Sequence, residues 1–186
     1  MEPYSFWEAR WVEGRTGWHL SEIHPFLTKH ASNLDFSPPK RVFIPLCGKC
    51  LELIWFYEKE LETKDKRLKI YVASIYDINF DDIGKFDVIW DRGSQTAIEI
   101  SDRDRYAKVM RGVCKEKFLY LMTTMQYDLE DDNDQPPRPI SHEQTRKMFG
   151  DWCSIKLILE NDVTDDRFRK RGIKEVFESY FVLTPK

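Results

Sequence analysis

The chain has no long hydrophobic run and no strong excess of charge of either sign. None of its apolar stretches approaches the roughly 20 residues that a membrane-spanning helix needs. The N-terminus, MEPYSFWEARW, lacks the basic region and apolar core of a secretory signal. A net charge of −3 gives no electrostatic reason to expect binding to nucleic acid or anionic lipid. We therefore expect a cytoplasmic protein with no membrane or nucleic-acid partner, and we take it to be a monomer.

Cysteine and histidine are both scarce. The four cysteines are too few and too scattered for a disulfide scaffold, so we expect reduced thiols. The four histidines have no metal-ligand spacing, and we expect no metal site. One cysteine pair permits another interpretation, because Cys47-Gly-Lys-Cys50 lies between a predicted strand and a predicted helix, as thioredoxin-like redox sites do. Thiol-redox chemistry is therefore kept as an alternative function.

Short apolar runs alternate with segments of helical spacing along most of the chain. The runs that predict strands are RVFIPL, RLKIYVASI, KFDVIWD and KFLYLMTTMQY. Helices are predicted over residues 6–13, 21–30, 51–59 and 104–114, and another begins with a capping box at Ser141 and Gln144 and ends near Gly150. This alternation predicts an α/β fold whose sheet is mostly parallel.

The last two predicted strands, SIKLILE and EVFESYFVLT, have no long helix between them. They should therefore pair antiparallel at the end of an otherwise parallel sheet. Ligands of such sheets bind beyond the carboxyl ends of the parallel strands. That rule places residues 45–49, 74–77 and 91–94 at the expected site, with the strands containing IPL, ASI and VIW as neighbours in the sheet.

Several segments together resemble the thiopurine S-methyltransferase family. They are FWEARWVEGRTGWH, RVFIPLCGK, SIYD, GKFDVIWDRGS and RGIKEVFESYFVLTPK, and the combination of PLCGK with IWDRG is the specific part. The resemblance implies one Rossmann-like domain over residues 1–186, with residues 1–36 covering the cofactor. It also implies S-adenosylmethionine as cofactor and transfer of a methyl group to the sulfur of small aromatic or heterocyclic thiols.

The resemblance also assigns roles to individual residues. The implied cofactor contacts are Trp7, Trp11, Trp18, Leu46, Gly48, Ser74, Ile75 and Arg92. Trp18 and Arg167 would contact the substrate, and Arg92 and Arg167 would act in catalysis. A neighbouring arginine favours the thiolate form of a substrate, and aromatic rings attract a sulfonium by about 0.5–2 kcal/mol.

Each of these residues also has a purely structural interpretation. Trp7 and Trp11 could be core residues, and Gly48 could be an ordinary turn glycine. Arg92 could pair with Asp91 or with a helix carboxylate. Arg167 lies in the charged run DDRFRKR, where a solvated side chain is the common outcome.

The chain departs from the family pattern after its third predicted helix. The family continues there into a second strand ending in an acidic residue that binds the ribose hydroxyls, whereas this chain passes from FYEKELETKDKR directly into LKIYVASI. Either one strand–helix unit is absent, which we favour, or the sequence joins residues across a gap. Its absence leaves open a non-catalytic relative with impaired cofactor binding. Arg171 stands where the family often has Trp, which is a second departure, near the substrate side of the expected site.

Overall fold

Strands and helices alternate in the computed structural model, which describes residues 4–30, 40–59, 68–128 and 135–186. The five strands are β1 (Val42–Phe43), β2 (Phe86–Arg92), β3 (Cys114–Gln126), β4 (Cys153–Asp162) and β5 (Phe177–Pro185). The helices are α1 (Tyr4–Val12), α2 (Pro25–His30), α3 (Glu52–Lys59), α4 (Phe80–Ile83), α5 (Ser94–Ala97), α6 (Arg103–Val113), α7 (His142–Phe149) and α8 (Asp166–Arg169). Short 3-10 turns cover Ile75–Asp77 and Ile100–Asp102.

The five strands form one sheet in the order β1-β2-β3-β5-β4. β1, β2 and β3 run parallel, and β5 is antiparallel to both β3 and β4. The predicted α/β class, the mainly parallel sheet and the antiparallel pairing of the last two strands are confirmed. Phe43 and Val88 lie in the same sheet, where Val42 is the partner of Val88 and Phe43 that of Ile89.

Both faces of the sheet are buried. Alternate residues of the central strands enter two different apolar clusters, as the period of two along a strand requires. Ile89, Tyr120 and Phe181 pack on the α6 and α7 side, whereas Trp90, Leu121 and Tyr180 pack on the α2 and α3 side. Burial on both faces explains why these strands read as continuous apolar runs.

One predicted strand is wrong. The run RLKIYVASI forms no strand over its described residues, and the partner of β1 is β2 rather than the segment around Tyr71. Ile70 is 64% exposed and Val72 is 99% exposed. A strand forms only when its backbone pairs with that of a neighbouring strand. β1 is two residues long and therefore offers little backbone with which the run could pair. The run has strand-forming residues, but no strand of the described part of the chain lies beside them to bury them.

The helix after the proline-rich loop ends as predicted. The Ser141 side chain accepts a hydrogen bond from the Gln144 amide, and the Gln144 side chain accepts one from the Ser141 amide. Gly150 is the C-terminal cap, with its amide bonded to the carbonyl oxygen of Arg146. Two elements are shorter than predicted. Helix α2 begins at Pro25 rather than at residue 21, and strand β1 covers only Val42–Phe43 of the run RVFIPL. In the ranges that the structure describes, no helix has the length and apolarity to cross a membrane.

A carboxylate connects the amino-terminal ends of the three parallel strands. Asp87 of β2 accepts a hydrogen bond of 2.8 Å from the Arg41 amide before β1, and Lys115 of β3 donates to both of its oxygens at 2.9 and 2.7 Å. Partial burial by itself would raise the pKa of Asp87, but the bonds from Arg41 and Lys115 outweigh it and hold the pKa below its ordinary value. The ionised form therefore stabilises the fold.

We expect Asp87→Asn to lower the free energy of unfolding by about 1 kcal/mol at neutral pH. Because the folded-state pKa is depressed, this contribution is present above the unfolded-state value of about 4 and is lost as the pH falls through the folded-state value. Urea unfolding at several pH values measures the difference. The control is Glu116→Gln, which removes an exposed carboxylate from the same end of β3. An equal loss in both variants would contradict a specific role for Asp87.

Candidate functional site

The loops that follow β1 and β2 meet at the carboxyl edge of the sheet. Ser94 Oγ donates a hydrogen bond of 3.2 Å to the carbonyl oxygen of Pro45. Gly93 lies between β2 and Ser94. Its φ of 74° is a left-handed conformation that glycine adopts without steric cost. The two loops whose sequences carry the family resemblance, PLCGK and WDRGS, are therefore in direct contact.

The loop after β1 has two residues with left-handed backbone. Leu46 has a φ of 48° and Gly48 has a φ of 50°. For leucine this conformation is strained, and such strain is concentrated at functional sites. The Leu46 side chain is 51% exposed, so its burial does not explain the conformation. The geometry instead presents the backbone of residues 46–48 at the edge of the sheet.

An aromatic cluster from the N-terminal segment packs on this loop. The ring of Trp18 lies 5.4 Å from that of Trp7 and 6.0 Å from that of Trp11, and His19 lies 4.9 Å from Trp11. A Cβ at Gly48 would lie 3.2 Å from His19 Nε2 and 3.4 Å from Trp11. The three predicted tryptophans thus lie together, with Trp11 and His19 directly over Gly48.

The two predicted arginines converge on one turn of the N-terminal segment. Arg92, at the end of β2, donates a hydrogen bond of 2.9 Å to the carbonyl oxygen of Trp18. Arg167, in α8, donates one of 2.9 Å to the carbonyl oxygen of Gly17. Arg167 also pairs with Asp165, which fixes the guanidinium in place although its side chain is largely exposed. The consecutive carbonyl groups of Gly17 and Trp18 are therefore held by two side chains that are 75 positions apart in the sequence.

Asp91 points away from Arg92, because neighbouring residues on a strand face opposite sides of the sheet. Its carboxylate is fully buried and accepts hydrogen bonds from the hydroxyls of Tyr106 at 2.9 Å and Tyr120 at 2.6 Å. Burial raises the pKa of Asp91, and the tyrosine hydrogen bonds offset part of that rise. Asp91 therefore anchors the end of β2 to the α6 side and is not the partner of Arg92.

Ser74 and Ile75 begin the 3-10 turn Ile75–Asp77. The Ser74 hydroxyl caps this turn by accepting from the Tyr76 amide at 3.3 Å, and Ile75 is buried in the cluster on the α6 side. Arg105 of α6 lies 4.3 Å above the ring of Tyr76, which fixes the turn against that helix. The contact of Ser74 and Ile75 with the adenine of S-adenosylmethionine stays a prediction.

Sequence reasoning missed three residues of this region, His19, His24 and Glu178. His24 is buried, and its Nε2 lies 3.5 Å from Oε1 of Glu178 near the start of β5. Burial lowers the pKa of His19, and the charges of Arg92 and Lys49 lower it further. The only sequence signal for His19 was its position directly after Trp18.

The cysteine pair lacks the lowered thiol pKa of a redox site. Cys47 and Cys50 are free thiols within one turn, with the Cys50 amide bonded to the Cys47 carbonyl oxygen at 3.1 Å. Burial raises the pKa of Cys47 and, with help from the charge of Glu52, raises that of Cys50 to about 12. Redox cysteines have lowered pKa values because the thiolate is the reactive form. Among the described residues, no cluster of three or more His, Cys, Asp or Glu side chains could hold a metal ion.

The region fits the sulfonium of S-adenosylmethionine better than it fits the ribose. The exposed residues Leu46 and Gly48 and three nearby indoles suit the sulfonium and its neighbouring atoms. A ribose needs a carboxylate at its hydroxyls. Glu52, the first described acid after the loop, is buried and accepts from the His24 amide at 3.1 Å. Of the other candidate acids, Glu58 lies on α3, and Glu60 and Glu62 lie outside the described residues.

The comparisons with known proteins agree on one family. The family model described as Thiopurine S-methyltransferase (TPMT) matches residues 3–64 and 58–186. Thiopurine S-methyltransferase of Bos taurus is 29% identical over 218 residues, covering 97% of this chain and 89% of the bovine protein. The Mus spretus enzyme of the same name is also 29% identical over 218 residues, covering 97% of this chain and 90% of the mouse protein.

The alignment also supports the absence of one strand–helix unit. Since 97% of this chain is about 180 residues, about 38 of the 218 aligned positions have no residue here. A strand with its crossover helix needs a segment of about that size. The match to the family model divides at residues 58–64, where the unit would stand.

Two solved structures share the fold. The 1,6-didemethyltoxoflavin-N1-methyltransferase of Burkholderia thailandensis, bound to S-adenosylhomocysteine, superposes with a TM-score of 0.66 at 14% identity, covering 97% of this chain and 85% of that chain. A mycolic acid cyclopropane synthase, also bound to S-adenosylhomocysteine, gives 0.61 at 9% identity, covering 85% of this chain and 82% of that chain. Both confirm the Rossmann-like architecture.

Gly48→Ala should strain the loop and displace the aromatic cluster. A left-handed φ of 50° costs alanine about 1 kcal/mol, and the added Cβ would press on His19 and Trp11. We expect a loss of about 1–2 kcal/mol in urea unfolding together with a changed tryptophan fluorescence spectrum. Gly172→Ala is the control, because φ there is 81° and nothing lies within 4 Å of its Cβ. A native fluorescence spectrum in Gly48→Ala would show that the cluster does not rest on this glycine.

Proposed function

Because the chain belongs to the thiopurine S-methyltransferase family, we propose that it transfers a methyl group from S-adenosylmethionine to the sulfur of small aromatic or heterocyclic thiols. The observation that carries the proposal is the convergence of Arg92 and the aromatic cluster at the carboxyl edge of the sheet. The reaction class and the cofactor follow from the family, and the roles of individual residues are our assignment.

Bound S-adenosylmethionine supplies an electrophilic methyl group on a positively charged sulfur. No protein nucleophile is needed, so the contribution of the chain is to position the reactants and exclude water. The guanidinium of Arg92, and on the other side that of Arg167, favour the thiolate form of the substrate by their positive charge. Trp18 lies beside both arginines and would contact the substrate.

We assign the remaining contacts by position in the fold. Trp7 and Trp11 would cover the sulfonium, and the backbone of Leu46 and Gly48 would approach the cofactor from the sheet. Ser74 and Ile75 would flank the adenine. In this proposal residues 1–36 form a cover within a single domain that spans residues 1–186, although residues 1–3 and 31–36 lie outside the described part of the chain. We further propose that the protein acts as a cytoplasmic monomer without a nucleic-acid or membrane partner.

The absent strand–helix unit supports a second candidate function, a non-catalytic relative that keeps the fold. The unit carries the family's ribose-binding carboxylate, and about 38 aligned positions of the bovine enzyme have no residue here. Incubation with S-adenosylmethionine and a thiophenol, followed by mass spectrometry, separates the two functions. An S-methyl product supports the enzyme, whereas absence of product together with weak or no binding of S-adenosylmethionine in calorimetric titration supports the relative.

We expect Arg92→Ala to lower kcat/KM for a thiophenol by about tenfold or more, because the charge that favours the thiolate is lost, and tenfold corresponds to about 1.4 kcal/mol. The melting temperature should fall by much less than this loss of activity implies. Arg146→Ala is the control, since Arg146 is an exposed residue of α7, which packs on the other face of the sheet. Parallel losses of activity and melting temperature in Arg92→Ala would argue for a structural role.

Cofactor affinity should be weaker than in relatives that contain the ribose carboxylate. Losing a charged hydrogen-bond acceptor costs about 1.5–3 kcal/mol, or roughly ten- to hundred-fold in affinity. Calorimetric titration with S-adenosylhomocysteine, run beside the bovine enzyme, measures the difference. Equal affinities would mean that another acceptor serves the ribose, and substitution of Glu58, Glu60 and Glu62 by glutamine would then identify it.

A further inference from the structure

A row of polar side chains crosses three strands on the α2 side of the sheet, at its carboxyl edge. Arg92 of β2 is the partner of Thr123 in β3, and Thr123 is the partner of Tyr180 in β5. Glu178 precedes Tyr180 by two residues and therefore shares its face of the strand. Because β5 is antiparallel to β3, Glu178 lies one step beyond this row toward the mouth of the candidate site.

The carboxylate of Glu178 is enclosed by two other side chains. Tyr180 donates its hydroxyl to Oε2 at 2.5 Å, and His24 Nε2 lies 3.5 Å from Oε1. The side chain of Glu178 is 13% exposed and that of His24 is 4% exposed. The ring of His24 is in turn held between Trp90 at 5.6 Å and Tyr180 at 5.5 Å. A carboxylate this deeply buried requires a nearby positive charge.

Arg92 contributes to that charge balance. Burial by itself would raise the pKa of Glu178, but hydrogen bonds from His24 and Tyr180 and the charges of His24 and Arg92 hold the pKa below its ordinary value. Burial and the neighbouring Glu178 raise the pKa of Tyr180, which stays a neutral donor. Glu178 is therefore ionised at neutral pH, and it lies on the same face of the sheet as the guanidinium that we assign to the substrate.

We propose that Glu178 is a residue that acts through Arg92, as the buried counter-ion on the same face of the sheet that limits the positive charge met by the substrate thiol. The inference rests on the proposed function of Arg92. With Glu178 in place, the pair has a net charge near zero. Without it, the thiol meets an uncompensated guanidinium.

Other titratable groups lie near Arg92 and Glu178 and could also change the pH dependence of the reaction. His24, directly before α2, and Tyr180 of β5 contact Glu178, and Glu52 of α3 accepts a hydrogen bond from the His24 amide. His19 interacts with Arg92 from the N-terminal segment. The test described next measures how kcat depends on pH. The difference in this pH profile between wild type and a Glu178 variant should persist in a His19→Gln background, in which His19 no longer contributes to the profile.

The first experiment compares pH profiles of kcat for a thiophenol. In Glu178→Gln the uncompensated Arg92 should stabilise the thiolate further, so the acid limb should move to lower pH by about one unit. Glu178→Asp keeps the charge and should keep the wild-type profile. Affinity for S-adenosylhomocysteine should change by less than about threefold in both variants, which corresponds to well under 1 kcal/mol.

The chain provides a matched control for this substitution. Glu160 of β4 also accepts from a neighbouring hydroxyl, that of Ser179 at 2.6 Å, and pairs with a histidine, His142 at 3.0 Å. Its partner Ser179 points to the opposite face of the sheet from Glu178. Glu160→Gln should leave the acid limb unmoved. An unmoved limb in Glu178→Gln, or an equal shift in Glu160→Gln, would overturn the proposal.

A second experiment needs neither activity nor a Glu178 variant. Carboxyl ¹³C NMR of glutamate-labelled protein follows the titration of Glu178 in the wild type and in Arg92→Gln. Loss of the guanidinium should raise the pKa of Glu178, and an unchanged titration would overturn the proposal even if Glu178→Gln does not fold. If no thiol is methylated but this shift is present, the proposed function fails while the pairing of Arg92 and Glu178 stands.

Discussion

The hydrogen bond from Arg92 to the carbonyl oxygen of Trp18 connects the sheet to the N-terminal segment. Without a fixed segment, the tryptophans would have no defined position over the loop that follows β1. Arg167 repeats the arrangement at the preceding carbonyl oxygen, that of Gly17. Two side chains that are distant in sequence therefore define a single turn, and this turn places Trp18 beside both cations. The candidate site therefore depends on this polar contact as well as on the packing of the three indole rings.

The end of β2 combines three different roles in consecutive residues. Trp90 packs among the apolar residues on the α2 side, Asp91 accepts tyrosine hydroxyls on the α6 side, and Arg92 reaches the N-terminal turn. The buried residues on both faces hold the strand rigidly, so the guanidinium starts from a fixed backbone. This explains why WDRG is informative as a unit: each residue needs the others to hold the strand end in place.

The sequence was sufficient to predict the fold class, the antiparallel last strand and the capping box, because each follows from local pattern or from the length of a connection. The aromatic cluster was predicted from family resemblance, and the structure places its rings together. The strand at RLKIYVASI was predicted wrongly, since local propensity cannot reveal that a neighbouring strand is absent. His24 and Glu178 were missed for a related reason. They are 154 positions apart, and only the register of β5 against β3 brings Glu178 beside the row that contains Arg92.

The segment from Leu68 to Val72 has a consequence for how the protein behaves in concentrated solution. It exposes isoleucine, tyrosine and valine, with Lys69 as its single charge. β1, at the border of the sheet, has one strand neighbour among the described residues. Exposed strand-prone segments and uncovered sheet borders are the usual starting points of aggregation by backbone pairing between molecules. Lys69 therefore serves as a gatekeeper, and its charge opposes the stacking of identical segments from separate chains.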